Sequence, residues 1–407
     1  MHNERARIKP LSERQRTPLA VGAIAAVLYF SEGLPYGIVT ELVPLYLRVE
    51  HIELKVIGLA SSVTIAWTLK FLWSPLVDTF GTYRRWIAGA LIVIAGVLGA
   101  IAVLPATVTA IFYALVALMA LGSATQDIAV DAFTIRATPT SMLGPVNSIR
   151  VTAYRVAMMV GAGGLAIVAG RVGWRTAWGV AATLAAGILI FALMLPDDRG
   201  ERKEQSSVFA DLAHWLRRPR AGILLTIVFL YRIGEFAIVT MIKPYWVDRG
   251  YSPAEIGTIT SVVGALAIIG GAIIGGWFVA KFGMVAGLLW LGVAQTLSNL
   301  GYAMVATMHA GRWAIYAAAI VENLGYGLGN AAFLAYLMSI CDRERAATEY
   351  ALLSAAFGLT GAAVRAGSGY VAQYAGYPFY FWLTVFLGIP VLFLIPRIRD
   401  EASILRS

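Results

Sequence analysis

Twelve ionisable side chains lie inside stretches of this sequence that are otherwise apolar: Glu32, Glu41, Lys70, Asp127, Asp131, Arg150, Arg155, Arg232, Glu235, Lys243, Glu322 and Arg365. Six are acids and six are bases. At the centre of a bilayer each would cost about 3 kcal/mol or more unless it is paired or faces water. Two kinds of chemistry justify that cost: ion pairs that hold helices together, and groups that bind and release a charged solute or a proton. Glu41 and Lys243 lie toward the ends of their stretches, where a long side chain can reach the interface. The others are deeper. Asp127 and Asp131 are four apart and share one helical face. Arg150 and Arg155 fall at matching depths on the next stretch, at about 1.5 Å per residue, which predicts the structural ion pairs Asp131–Arg150 and Asp127–Arg155.

Arg232 and Glu235 are three apart and lie on nearly the same face. A carboxyl that gains and loses an arginine partner can take up and release a proton, so Glu235 is the first candidate for proton coupling, with Glu32 and Asp127 as alternatives. The competing reading is that Glu235 permanently neutralises Arg232. Lys70, Arg232 and Arg365 offer cations to an anionic solute, the guanidinium groups through paired hydrogen bonds. Glu322 and its neighbour Asn323 complete the candidate binding set. His2, His51, His214 and His309 all lie outside the apolar interiors, so no histidine cluster serves a metal or a proton relay. Cys341 is alone, which excludes a disulfide within the chain and a thiolate cluster. A GxxxxGK[ST] phosphate loop and a GxSxG nucleophile elbow are both missing. No cofactor is expected.

The elements that carry these residues follow from composition. Hydrophobic residues make up 59% of the 407 positions and charged residues 14%, against about a quarter charged in soluble domains. Apolar runs of about 20 residues, enough to cross a bilayer as a helix, fall near 18–47, 54–78, 86–104, 108–134, 145–170, 174–195, 221–247, 254–280, 283–307, 313–339, 347–373 and 376–396. The first run is too long for a signal-peptide core and is kept. Arg5, Arg7, Lys9, Arg14 and Arg16 precede it, and Arg199, Arg202, Lys203, Arg217, Arg218 and Arg220 occupy the middle loop, on the same side as Arg84, Arg85, Arg136, Lys281, Arg343, Arg345 and Arg397. The other side holds Arg48, Lys55, Arg171, Arg175, Arg249 and Arg312. Positive loops stay in the cytoplasm, so both termini are expected there, in a bacterial inner membrane. Topology accounts for the net charge of +9 without a nucleic-acid partner. The expected partners are the bilayer, a small solute and protons, with the chain acting as a monomer.

The sequence repeats at a spacing close to 200. Pro44, Tyr46, Leu47, Ile57-Gly58 and Ser62-Val63 are echoed by Pro244, Trp246, Val247, Ile256-Gly257 and Ser261-Val262. Leu76-Val77 and Phe80-Gly81 are echoed by Phe278-Val279 and Phe282-Gly283. An all-α membrane protein follows, with twelve transmembrane helices in two six-helix halves related by pseudo-two-fold symmetry, residues 1–195 and 221–407. A cytoplasmic linker, 196–220, joins them; Phe209, Leu212, Trp215 and Leu216 there have the spacing of an interfacial helix. That plan resembles the major facilitator superfamily, whose solute site lies near the midplane between the halves. In that superfamily the first, fourth, seventh and tenth spans line the cavity, and Glu32, Asp127, Glu235 and Glu322 fall one in each. Gly161 to Gly164, Gly270-Gly271 and Gly275-Gly276 suit close helix contacts.

Gly33-Leu34-Pro35, KFLWSPLVD from Lys70 to Asp78, QDIAVDAF from Gln126 to Phe133, YRIGE from Tyr231 to Glu235, AAFLAYLMSIC from Ala331 to Cys341 and ATEYALLSA from Ala347 to Ala355 together resemble the muropeptide permease and acetyl-coenzyme A transporter family. The resemblance implies a cation-coupled carrier of bulky polar solutes, the proton being the first choice of ion and anhydro-muropeptides, coenzyme A thioesters or iron siderophores the solutes. It puts Lys70, Gln126, Asp127, Asp131, Arg232 and Glu235 forward as functional positions, Gln126 as a substrate-binding one. Two departures stand out. Muropeptide permeases usually continue beyond a twelfth span, and Glu349 stands where many relatives have glutamine. The shorter length leans toward siderophore-type relatives, with muropeptide uptake close behind. The rival classes are a multi-pass enzyme acting on a lipid-linked substrate, which would turn over in detergent, and a non-transporting receptor, which would show no counterflow.

Overall fold

The computed structural model describes residues 18–104, 110–138, 143–196, 217, 221–340 and 346–398. Among these residues every regular element is helical. Among the described residues ten helices are long and apolar enough to cross a membrane: α1 (Ala20–Val49), α2 (Leu54–Leu72), α3 (Tyr83–Val103), α4 (Ala110–Thr134), α5 (Ile149–Val172), α6 (Trp174–Leu193), α7 (Ala221–Asp248), α8 (Pro253–Phe282), α9 (Met284–Met308) and a long last one, Leu353–Arg397. Arg312–Ser339 forms α10, a 28-residue helix whose apolar run is diluted by Glu322, Asn323, Asn330 and three glycines. The long last one belongs with the run Ala346–Leu392, which has 47 residues; at 1.5 Å each it would reach about 70 Å, twice a hydrocarbon core. It breaks at Gly376, where φ 78 and ψ 161 suit only a residue without a Cβ. The run is therefore two crossings, α11 (346–375) and α12 (377–392). Twelve crossing helices among the described residues match the number read from the apolar runs. The basic N-terminal tail, the linker with its expected interfacial helix apart from Pro196 and Arg217, and the Glu349 side chain lie outside what is described.

Repetition in the sequence returns as repetition of backbone. Gly81 and Gly283, equivalent in the repeat, both have positive φ, 74 and 87, so each ends a helix with a turn that a side chain would strain. Other helices depart from α geometry inside the membrane. α1 contains a π-helical stretch at Ile38–Leu42, and α2 contains 3-10 turns at Ser62–Thr64 and Lys70–Leu72. α7 stops at Leu230 and restarts at Ile233.

By contact the chain forms two compact units, one of Met1–Val43 with Leu69–Glu204 and one of Pro44–Thr68 with Gln205–Ser407. The division passes through α1 and α2 as well as the linker. The first unit has a core of Leu28, Tyr29, Ile87, Leu91, Val130 and Phe133. The second is built on Ile227, Val228, Leu288, Phe333, Tyr336 and Leu337. Lipid tails are as apolar as these side chains, so helix association depends on close packing and polar contacts. In the first unit α1 and α5 meet through Gly37 and Gly161: a Cβ on Gly37 would come within 2.8 Å of the Met158 carbonyl oxygen, and one on Gly161 within 2.5 Å of that of Leu34. In the second unit Gly275 of α8 fits the Leu328 backbone of α10 in the same way, whereas Gly270 and Gly276 face open space.

Candidate functional site

The first unit gathers Lys70, Gln126, Asp127, Asp131, Arg150, Glu32 and Tyr29. Lys70 sits in the 3-10 turn of α2, and its ammonium forms an ion pair with Asp127. One helical turn along α4, Asp131 accepts a hydrogen bond of 2.9 Å from the Tyr29 hydroxyl and lies 3.2 Å from Arg150 Nη1. The Arg150 guanidinium covers the Tyr29 ring at 4.8 Å, so α1, α4 and α5 are tied together by one aromatic ring and one ion pair. Gln126 is fully buried, and its amide donates to Ser31 on α1. Arg155 does not pair with Asp127 as expected. Matched depth on neighbouring helices leaves the direction of each side chain around its helix undetermined, and α2, which depth matching ignored, brings Lys70 to Asp127 instead.

Glu32 is 2% exposed. Among the described residues Glu32 has no ion-pair partner, and its Oε1, the Gln126 Oε1 and the Ser123 hydroxyl are buried without hydrogen bonds. Buried polar atoms normally find partners. This face of α1 and α4 therefore has vacant hydrogen-bonding capacity beside an Asp–Lys pair.

The second unit holds the other cluster. α7 is interrupted at Tyr231 and Arg232, and Arg232 takes φ −107 and ψ 10 at the start of the second segment. Its guanidinium donates to Glu235 twice, Nη2 to Oε1 at 2.7 Å and Nε to Oε2 at 3.2 Å, and to Asn330 Oδ1 at 2.8 Å. Gln295 from α9 also donates to Glu235. The guanidinium lies 4.9 Å from the Tyr326 ring. The sequence of α10 explains this convergence. Tyr326 and Asn330, four apart, turn to Arg232, while Gly325 and Gly329 leave room for Ser298 and Gln295 of α9. Glu235 falls in the first turn of its segment, where the helix dipole favours a carboxylate.

Arg365 on α11 stacks on Phe236 at 4.9 Å, beside this cluster. Glu322 is buried on α10, and the Asn323 amide donates to the Ala319 carbonyl at 2.8 Å while resting against Gly264. Neutral groups that charge counting overlooks, Tyr29, Gln295, Tyr326 and Asn330, supply much of the geometry. An apolar helix carrying an isolated amide at i, i+4 from a tyrosine was the available signal for Asn330.

A third polar group lies within the second unit. Arg48 donates to both oxygens of Asp248, at 2.5 and 2.6 Å, and Tyr377 donates to Asp248 Oδ2 at 2.6 Å. The two charged residues are 200 apart, the spacing of the internal repeat, but the sequence analysis did not single out the pair.

The model of the Major Facilitator Superfamily matches residues 23–364 and 224–406. The anhydromuropeptide permease of Escherichia coli strain K12 is 31% identical over 397 residues, covering 94% of this chain and 81% of that protein. Among solved structures, a D-xylose-proton symporter superposes with a TM-score of 0.74 at 12% identity, over 95% of this chain and 98% of that one. A bacterial homologue of the human lysosomal transporter Spinster superposes with a TM-score of 0.75, also at 12% identity, over 97% and 98%.

Proposed function

The chain belongs to the Major Facilitator Superfamily and within it to the family of the muropeptide permeases, and from that premise we propose that it is a proton-coupled carrier of a bulky, anion-bearing polar solute. As a multi-pass transporter it needs a site for the solute and a group whose protonation changes during the cycle. The observation that carries the proton reading is Glu32: a buried carboxyl that has no ion pair among the described residues and whose Oε1 has no hydrogen bond, in the same unit as the Lys70–Asp127 pair. A buried carboxyl without a fixed cation is a group that can take up and release a proton.

Glu235, the first candidate from the sequence, has less freedom. Both of its oxygens accept from Arg232 and one also from Gln295, which supports a permanently ionised carboxylate. The coupling role thus passes to Glu32. Arg232 and Arg365 supply the cationic character for the anionic part of the solute. The named relative puts anhydromuropeptides first as solutes to test and ferric siderophores second. The arginine and lysine distribution supports a cytoplasmic position for both termini, and the proposed carrier acts as a monomer in a bacterial inner membrane.

The test uses proteoliposomes. Glu32→Gln should abolish accumulation driven by a pH gradient and preserve solute counterflow, which needs no net proton movement. Full gradient-driven accumulation in that variant would overturn the assignment. A covalently altered product from the same solutes in detergent would favour the enzyme reading instead.

A further inference from the structure

Three oxygen atoms on facing helices of the first unit are buried and have no hydrogen bond: Glu32 Oε1 on α1, and Ser123 Oγ and Gln126 Oε1 on α4. Their residues are 2%, 0% and 0% exposed. Ser123 and Gln126, three apart, share a buried stripe of α4 with Met119 and Val130. That stripe meets α1, because the Gln126 amide donates to Ser31, the residue before Glu32. The same contact fixes which way the amide turns. The Ser31 hydroxyl commits its one proton to the Leu28 carbonyl at 2.5 Å, so its oxygen can only accept. Gln126 must present its nitrogen to Ser31, which leaves Oε1 as an acceptor without a donor.

The number of atoms to be satisfied and their charge select a ligand. A proton on Glu32 supplies one O–H, which serves one further acceptor at most. A water molecule could satisfy all three oxygens, but an ionised Glu32 would still lack a countercharge in low dielectric, and that is costly. Lys70 is held by Asp127 and Arg150 by Asp131, and Glu32 has no ion pair among the described residues. A monovalent cation meets both demands at once. The donors are one carboxylate, one amide carbonyl and one hydroxyl, hard oxygens without nitrogen or sulfur, which suit an alkali or alkaline-earth ion and not a transition metal. Among the described residues no group of three His, Cys, Asp or Glu side chains is placed to hold a metal ion, and a single carboxylate balances one positive charge, not two. Complete burial between two packed helices favours the smaller ion, sodium over potassium.

We propose that Glu32, Ser123 and Gln126 form a sodium-ion site between α1 and α4. The inference rests on the reading of Glu32 as a carboxyl that exchanges its cation, and extends it: the same oxygen takes a proton or a sodium ion, never both.

The test needs no solute. Purified protein in detergent is melted in sodium, potassium or choline chloride at equal ionic strength and mildly alkaline pH. Sodium should raise the melting temperature by a few degrees and saturate, since an ion that binds only the folded state stabilises it; potassium and choline should do less. Ser123→Ala should raise the half-saturating concentration of radioactive sodium about tenfold, the ratio that ~1.4 kcal/mol makes in an equilibrium. Gln126→Leu should do the same, and Glu32→Gln should bind no sodium. A merely structural Ser123 predicts otherwise, because loss of a buried hydroxyl without a partner would leave the sodium dependence as it was. Equal melting in all three salts, the result expected if water occupies the site, would overturn the proposal. So would parent-like sodium binding in Ser123→Ala and Gln126→Leu, which decide alone if Glu32→Gln fails to fold. The proton reading stands or falls separately. Gradient-driven accumulation lost in Glu32→Gln, with equal melting in all salts, removes the sodium site and keeps proton coupling. Sodium-specific stabilisation of the parent, with accumulation intact in Glu32→Gln, keeps the site and removes proton coupling.

Discussion

Removing Glu235 should destabilise the second unit strongly, and removing Arg232 with it should not. Both residues are buried, at 5% and 6% exposure. Glu235→Ala deletes three charge-assisted hydrogen bonds, two from Arg232 and one from Gln295, and leaves a guanidinium inside the bundle with Asn330 as its remaining partner. Breaking a buried pair from one side costs about 3–5 kcal/mol. Inside a membrane the unfolded reference finds polar partners too, which pulls the expected loss toward the lower end, about 3 kcal/mol. Arg232→Met leaves the carboxylate with Gln295 alone and should cost a similar amount. The double variant Arg232→Met/Glu235→Leu removes both charges, and replacing a buried pair with apolar residues of similar volume is often neutral. Its loss should therefore be well below the sum of the singles, with an interaction of about 3 kcal/mol or more. Equilibrium unfolding in mixed micelles by a denaturing detergent, followed on the purified variants, measures each loss. Additive losses, or single losses below about 1 kcal/mol, would refute the view of Glu235 as a fixed counter-ion and return it to the coupling role.

The same cycle on Lys70→Ala and Asp127→Ala should be non-additive, whereas Arg155→Ala with Asp127→Ala should add within about 0.5 kcal/mol, as unlinked sites do. Gly369→Ala would drive a methyl group into the Leu54 carbonyl; backbone cannot give way as a side chain can, so a loss of about 1–3 kcal/mol in detergent unfolding is expected. Glu53 precedes α2, and its hydrogen bond to Lys55, followed by that to Gln373, holds its carboxyl below the usual range. A depressed carboxyl contributes while ionised and loses its contribution as pH falls through its folded value, so the thermal stability of the purified protein should be flat near neutrality and fall on the acid side. In Glu53→Gln that acid-side fall should be smaller; an equal fall would place the titration elsewhere.

Much of this protein was legible in one dimension. Transfer of a 20-residue segment from water to lipid depends on composition, so hydropathy alone located the crossing helices, and the repeat at about 200 residues anticipated paired backbone features such as Gly81 and Gly283. The set of buried charges was legible for the same reason, since each is costly wherever it points. Partner choice was not. Depth along a helix follows from residue number at 1.5 Å per step, but direction follows at about 100° per step and is fixed only when neighbouring helices pack. That is why depth suggested Arg155 for Asp127 while packing delivered Lys70 from a helix left out of the comparison. It is also why Arg232 was expected on a continuous helix when α7 breaks beside it, and why Gln295 and Asn330, uncharged and unremarked in the sequence, complete the Glu235 and Arg232 sites. The spacing of 200 between Arg48 and Asp248 was present in the sequence throughout. Only tertiary structure could turn equivalence into contact, because a repeat relates positions by symmetry and says nothing of which equivalent positions the packing brings within hydrogen-bonding reach.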